Sequence, residues 1–201
     1  MKWITVSLLL AQPALADPMA VHQTADAIFD RMPNVRSVDT IGDHCGAGRR
    51  TNPRIGYCTS ENTIYVSTNF AARPTAAYEM AHVLGHAIQV QHGVADVAFQ
   101  AIRSRRSEEG ALRGMVTRQV ECVAGVLVAR TGLAPIDLTS HFNEEPFTDP
   151  HWGRRPLSGG PRVTIGIEAR ADWFTTGYDA ADFAACSVGE MSSELIVQAE
   201  R

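Results

Sequence analysis

The stretch that decides the fold of this 201-residue chain is Ala81-His82-Val83-Leu84-Gly85-His86. His82 and His86 are four positions apart, so on a helix their side chains lie one above the other, at the spacing at which two imidazoles bind one metal ion. The flanking sequence predicts such a helix: Pro74 suits a first helical turn, and Gly93 suits a position just after a helix end at about residue 92. The sequence therefore predicts a zinc site in the middle of a helix.

Position 83 decides what such a site can do. In zinc peptidases the two histidines usually belong to a His-Glu-x-x-His motif, in which the glutamate is the general base. Val83 stands at that position, and a valine side chain can neither accept a proton nor hold a water molecule. General-base assistance contributes about 10²–10⁴ in rate, so we expect efficient peptidase activity only if another carboxylate takes over. Glu79 and Glu121 are the candidates for a relocated base.

A catalytic zinc ion needs a third protein ligand and an open position. A second long helix is predicted from about residue 107, where a serine precedes two glutamates, and it carries Glu121. We predict His82, His86 and Glu121 as the zinc ligands, with Glu79 as the competing oxygen ligand. Three other histidines lie in predicted loops and could reach a metal only through tertiary placement, namely His44, His141 and His151. In the metal-free alternative, His82 and His86 are hydrogen-bonded core residues.

The N-terminus has the features of a secretory signal peptide. Lys2 gives a cationic start, residues 3–10 are apolar, and Ala14 and Ala16 occupy the −3 and −1 positions of a cut after residue 16. The apolar run is too short to span a bilayer, and the later sequence contains no candidate span. We therefore predict a periplasmic or secreted protein with no membrane span in the mature chain. The formal net charge of −4 argues against a nucleic-acid partner, which favours a basic face.

The four cysteines are predicted to form two disulfides, because an even count in an exported chain favours disulfides over thiolate metal ligands. The sequence allows three pairings. Cys45 and Cys58 bracket a segment rich in glycine, arginine, asparagine and proline that looks like a loop. We therefore favour Cys45–Cys58, which leaves Cys122 with Cys186.

The remaining sequence predicts an α+β fold that is mainly helical. Further helices are predicted at residues 20–31 and 167–183, and an alternating, β-branched strand at residues 63–68. Residues 137–161 are rich in proline, glycine and charge, so we expect a long surface loop there. The length suits one domain, residues 17–201.

Four separate segments carry a resemblance to one bacterial family. They are Cys45-Gly46 with Tyr57-Cys58 and residues 62–66; Ala81–His86 with Gln89; residues 119–122 with 124–126; and Arg170, Trp173-Phe174, Gly177-Tyr178, Asp182 and Cys186. In this order they resemble the putative neutral zinc metallopeptidases, over most of the mature chain. The resemblance implies a zincin-like helical core with a small β-sheet, a bound zinc ion, a peptide or protein ligand, and the same two disulfide pairings.

Two positions depart from the family pattern. Val83 replaces the catalytic glutamate, and Thr117 stands where the family presents the acidic residue that is its expected third ligand. The first functional hypothesis is therefore a zinc-binding, metallopeptidase-like protein with impaired or lost peptidase activity, a pseudoenzyme. The alternatives are an active zinc peptidase with a relocated base, and a metal-free structural or interaction protein. By analogy with zincins, the strand at residues 63–68 is expected to be an edge at which an extended peptide pairs.

Overall fold

The computed structural model describes residues 17–157 and 162–201. The predicted signal peptide, residues 1–16, lies outside the described residues. The helices are α1 (Pro18–Ile28), α2 (Ala76–Gln91), α3 (Val94–Ser104), α4 (Glu109–Arg130), α5 (Leu138–His141), α6 (Ile167–Ala180) and α7 (Glu194–Gln198), and the strands are β1 (Asn34–Val38), β2 (Ile55–Cys58), β3 (Thr63–Ser67) and β4 (Trp152–Gly153). The predicted α+β, mainly helical class is confirmed.

Helix α2 runs through the middle of the core. Every residue from Ala76 to Gln89 is buried, and the helix packs against α1, α4 and strand β2. A helix that is buried on all sides needs apolar residues all round its axis, and α2 meets this condition with its alanines, Met80, Leu84 and Ile88. The core therefore fixes both histidine side chains.

Two close contacts between helices depend on glycine. A Cβ atom at Gly85 would lie 3.1 Å from the side chain of Val120, so the absence of a side chain lets α4 approach α2. A Cβ atom at Gly177 in α6 would lie only 1.9 Å from the carbonyl oxygen of Cys122 in α4. Helices α4 and α6 are consequently packed backbone against backbone.

The four strands form one mixed sheet in the order β1-β3-β2-β4. Strand β3 pairs in parallel with β1 and antiparallel with β2, and β2 pairs in parallel with β4. The expectation that β3 is a free edge for an extended peptide is wrong, because both of its edges are already hydrogen-bonded. The predicted loop at residues 137–161 is also corrected, since it contains α5 and β4.

Both predicted disulfides are present. The Cα atoms are 5.9 Å apart in Cys45–Cys58 and 5.4 Å apart in Cys122–Cys186. The second bridge connects α4 to the 3₁₀ turn Phe183–Cys186 that follows α6. Within the described ranges, no helix is long and apolar enough to cross a membrane.

Candidate metal centre

Three imidazoles converge at one point beside α2. Nε2 of His151 lies 3.1 Å from Nε2 of His82 and 3.2 Å from Nε2 of His86. All three side chains are buried, and they form the histidine group in the described structure that could hold a metal ion. His82 and His86 were predicted from their spacing, whereas His151 was set aside with the other loop histidines.

His151 reaches this point because the chain before β4 is fixed to the sheet. Its carbonyl oxygen accepts a hydrogen bond of 2.8 Å from the Tyr57 amide, and Trp152, the next residue, pairs with Tyr57 in the β2–β4 ladder. The ring nitrogen Nδ1 of His151 lies 2.8 Å from the carbonyl oxygen of Asp149. The sequence signal was weak: a His-Trp pair in a segment otherwise rich in proline, glycine and charge.

The neighbours of the rings decide which nitrogens carry protons. The Asp149 carbonyl oxygen can only accept, so Nδ1 of His151 donates and its Nε2 keeps a free lone pair. On His82, Nδ1 lies 3.1 Å from Oε1 of Glu121, and this carboxylate likewise favours the proton on Nδ1. Two nitrogen lone pairs therefore face each other across 3.1 Å. Such an arrangement is repulsive by itself and becomes favourable around a cation.

Burial keeps the three imidazoles in the neutral form that binds metals. It lowers the pKa of His86 well below its ordinary value, and the neighbouring His82 and His151 lower it further. Burial and the proximity of His82 also place the pKa of His151 well below normal. The pKa of His82 is lowered by burial despite the opposing charge of Glu121.

Glu121, predicted as the third metal ligand, lies on the other nitrogen of His82. Its Oε1 contacts Nδ1 of that ring, Tyr78 donates to its Oε2 at 3.0 Å, and Arg170 forms a buried ion pair with it. Burial raises the pKa of Glu121, but its contacts with Arg170 and His82 together outweigh burial and leave the pKa lowered. The structure therefore brings His151, and not Glu121, to the point where the Nε2 atoms meet.

Glu79 and Val83 occupy separate environments. Thr75 donates to Glu79 at 2.6 Å, and the Nε atoms of Arg54 and Arg73 lie 3.0 and 3.5 Å from its carboxylate oxygens. This carboxylate connects the start of α2 to the segments before it. Val83 is fully buried in the hydrophobic core and is not among the described residues that line the cleft beside the histidines.

Two aromatic rings hold the orientation of the α2 histidines. The Phe147 ring stacks on His82 with centroids 3.9 Å apart and an interplanar angle of 4°, and Trp152 stacks on His86 at 4.6 Å and 17°. Phe147 adopts a left-handed backbone with φ 59°, a conformation that costs a bulky residue about 1–2 kcal/mol. The segment that supplies His151 thus also covers the other two ligands.

A cleft of about 350 Å³ opens onto the histidine cluster. His82, His86 and His151 line it together with one apolar wall from α3. The rest of the lining includes two aromatic and four basic side chains, namely Phe147, Trp152, Arg113, Arg154, Arg155 and Arg170. The histidine cluster therefore has an open side, toward a cleft that a small molecule can enter.

Comparison with known proteins gives no match: no protein-family model, curated protein or solved structure is similar to this chain. The resemblance to the neutral zinc metallopeptidases accordingly stays a prediction from sequence motifs, and function is inferred from the residues themselves.

Proposed function

We propose that this protein is a zinc-binding, metallopeptidase-like protein in which His82, His86 and His151 are the protein ligands and peptidase activity is impaired or lost. The observation that carries the proposal is the convergence of three buried imidazoles, in which Nε2 of His151 lies 3.1 Å from Nε2 of His82 and 3.2 Å from Nε2 of His86. Zinc–nitrogen bonds of 2.0–2.1 Å in a tetrahedron place ligand nitrogens about 3.3–3.4 Å apart. The observed separations are close to that value.

Zinc is the metal that this ligand set suits best among those common in proteins. Three neutral imidazoles with an open side match the arrangement of catalytic zinc sites, whereas structural zinc sites are closed by four protein ligands. Calcium and magnesium prefer oxygen ligands, and non-haem iron sites commonly use two histidines with one carboxylate. Glu121 supports the histidine set through its carboxylate oxygen Oε1, which lies 3.1 Å from Nδ1 of His82 and favours the proton on that nitrogen.

The carboxylates explain why hydrolysis is expected to be weak. When bound, zinc supplies a Lewis acid at the floor of the cleft. The general-base position of α2 is Val83, which packs in the core. Glu121 is held by Tyr78, His82 and Arg170, and Glu79 by two arginines and Thr75. The alternative of an active peptidase with Glu79 or Glu121 as base therefore has no geometric support.

We further propose that the protein works outside the cytoplasm, in the periplasm or as a secreted protein. Its two disulfides are typical of oxidising compartments. The N-terminal features described above add independent support from the sequence.

Metal content tests the proposal directly. The disulfide-bonded protein is purified without chelator, dialysed with zinc and then against metal-free buffer, and its zinc is measured per mole of protein. We expect about one zinc ion in the wild type and none in His82→Ala, His86→Ala or His151→Ala. His141→Ala is the matched control, because His141 is an exposed histidine in α5 outside the cluster.

Three outcomes would overturn the proposal. Absence of zinc from the wild type would favour the metal-free alternative, in which the three histidines are core residues. Full zinc content in His151→Ala would remove this residue from the ligand set. Rapid zinc-dependent cleavage of unfolded casein by the wild type, lost in Glu121→Ala or Glu79→Ala, would instead support the relocated-base alternative.

A further inference from the structure

We propose that the cleft binds a small apolar carboxylic acid, with its carboxylate between the histidine cluster and the arginines and its hydrocarbon part against α3. This inference rests on the proposed function in one respect: a bound divalent ion would add positive charge at the floor of the cleft. The apolar wall and the arginines are independent of the metal. The ligand class therefore follows from two separate features.

The apolar wall consists of one face of α3 and the facing part of α4. Phe99 and Ile102 line the cleft from α3, with Ala95 and Ala98 beside them, and Val116 faces them from α4. Ile102 is 5% exposed, while Val97 on the outer side of α3 is 51% exposed. Because only the inner face carries contiguous large side chains, this wall suits a hydrocarbon chain or an aromatic ring.

The polar side of the cleft carries excess positive charge. Arg154 and Arg155 line it and are exposed, and within the described residues neither forms an ion pair with a carboxylate. Asp149 is the acidic side chain of the described lining, and Arg162 neutralises it at 2.8 Å. Arg170 is buried at the same side, where it balances Glu121. The two exposed guanidiniums are thus available to an anion, and guanidinium geometry matches a carboxylate.

The ligand set adds to this charge. Three neutral imidazoles leave the two positive charges of a divalent ion uncompensated, whereas two histidines with Glu121 would have cancelled one of them. A carboxylate is a good fourth ligand for such an ion. Since His82, His86 and His151 all line the cleft, an anion held there would lie beside the metal.

The size of the cleft favours a small acid over a polypeptide. Its volume of about 350 Å³ lies at the small end of the range for ligand pockets, roughly 300–1,000 Å³.

Binding of 4-phenylbutyrate to the zinc-loaded protein, measured by calorimetry, tests this inference. Acetate has the charge without the tail, and 4-phenylbutan-1-ol has the tail without the charge. We expect phenylbutyrate to bind at least about tenfold more tightly than acetate, since each buried methylene contributes about fourfold. It should also bind at least about tenfold more tightly than the alcohol, since charge-assisted hydrogen bonds to the carboxylate contribute about tenfold or more. An N-acetylated tripeptide acid ending in phenylalanine is the polypeptide arm and should bind more weakly than phenylbutyrate.

Paired variants locate the ligand. Phe99→Asp and the double variant Arg154→Glu/Arg155→Glu should each weaken phenylbutyrate binding at least about tenfold. Their controls are Val97→Asp, on the outer side of α3, and Arg103→Glu, an exposed arginine of α3 outside the cleft. Both controls should bind as the wild type does. The zinc content of each variant verifies that the histidine cluster is intact.

The outcomes separate this inference from the proposed function. Equal binding of the alcohol, equal binding of acetate, or tighter binding of the tripeptide would each overturn the assignment of a small apolar acid. Zinc bound at full content without phenylbutyrate binding would also overturn it and leave the metal proposal standing. If no zinc is bound but the metal-free protein still prefers phenylbutyrate to the alcohol, the metal proposal fails and the cleft assignment survives.

Discussion

Replacing Glu121 by glutamine distinguishes a carboxylate that orients a metal ligand from one that binds the metal. Oε1 of Glu121 lies 3.1 Å from Nδ1 of His82, while the nitrogen of that ring that we propose to bind the metal is Nε2. Loss of an outer-shell carboxylate on a metal-bound histidine typically weakens metal affinity 10–100-fold. That corresponds to about 1.4–2.7 kcal/mol. We therefore expect Glu121→Gln to bind one zinc ion, with an affinity lower by that factor.

The same substitution should lower the free energy of unfolding of the metal-free protein. Removing one partner of a buried ion pair costs about 3–5 kcal/mol, and Arg170 and Glu121 are both buried. Glutamine keeps the volume and one acceptor oxygen, and Arg170 retains Glu145 at 2.8 Å. We therefore expect Glu121→Gln to lower the free energy of unfolding by about 3 kcal/mol, the lower end of the range for a broken buried ion pair.

Zinc affinity is measured by competition with a metallochromic chelator, and stability by urea unfolding of the metal-free protein. The control is Glu145→Gln, which removes the other carboxylate from Arg170 but leaves the His82 contact in place. We expect the control to lose stability and keep its zinc affinity. Complete loss of zinc from Glu121→Gln, as in His82→Ala, would show that Glu121 is itself a ligand, and an unchanged affinity would refute the orienting role.

Three further predictions concern the core and pH. Val83→Glu should lower the free energy of unfolding by at least about 2 kcal/mol, because it buries a carboxylate in the apolar core. It should not create peptidase activity. A variant that is both stable and able to cleave casein would contradict this prediction. Gly177→Ala should lower the free energy of unfolding by about 3 kcal/mol, since its Cβ would lie 1.9 Å from a carbonyl oxygen of α4. The control, Gly110→Ala, has open space for the added Cβ, so it should be neutral or stabilising in the same urea titration. In the metal-free protein, the pKa values of His86 and His151 are lowered, so below about pH 6.5 these two residues bind protons in the unfolded chain but not in the folded chain. The free energy of unfolding, measured with urea, should therefore fall as the pH is lowered from 6.5 to 5.5. A constant free energy over that interval would contradict the neutral, buried state of these rings.

The features that the sequence predicted well are local ones. The spacing of His82 and His86 identified one face of α2, because helical periodicity is set by neighbouring residues. Cys45 and Cys58 were paired correctly because they bracket one short loop. Helix α3 is different: Ala98 and Ile102 have helical spacing, but Gly93 was interpreted only as the end of α2, so the helix that follows was missed.

The features that the sequence did not predict depend on long-range contacts. His151 lies 65 positions after His86 in the chain and reaches it only because β4 pairs with β2. A two-residue strand has no periodicity from which it could be recognised. The position of β3 in the middle of the sheet likewise depends on β1, whose parallel pairing brings together strands from before and after the first disulfide loop. Neither placement is encoded in the pattern of the segment itself.

The proposed imidazole as third ligand bears on function more than the absence of a glutamate at position 83 alone does. With two histidines and Glu121 as ligands, a bound zinc ion would keep one net positive charge; with His82, His86 and His151 it keeps two. The second arrangement favours anions at the open side, where Arg154 and Arg155 already line the cleft. A site without a general base and with a strong preference for anions is better suited to retaining a carboxylate than to hydrolysing an uncharged peptide bond. Val83 and the proposed histidine ligand set therefore point in the same direction, toward binding.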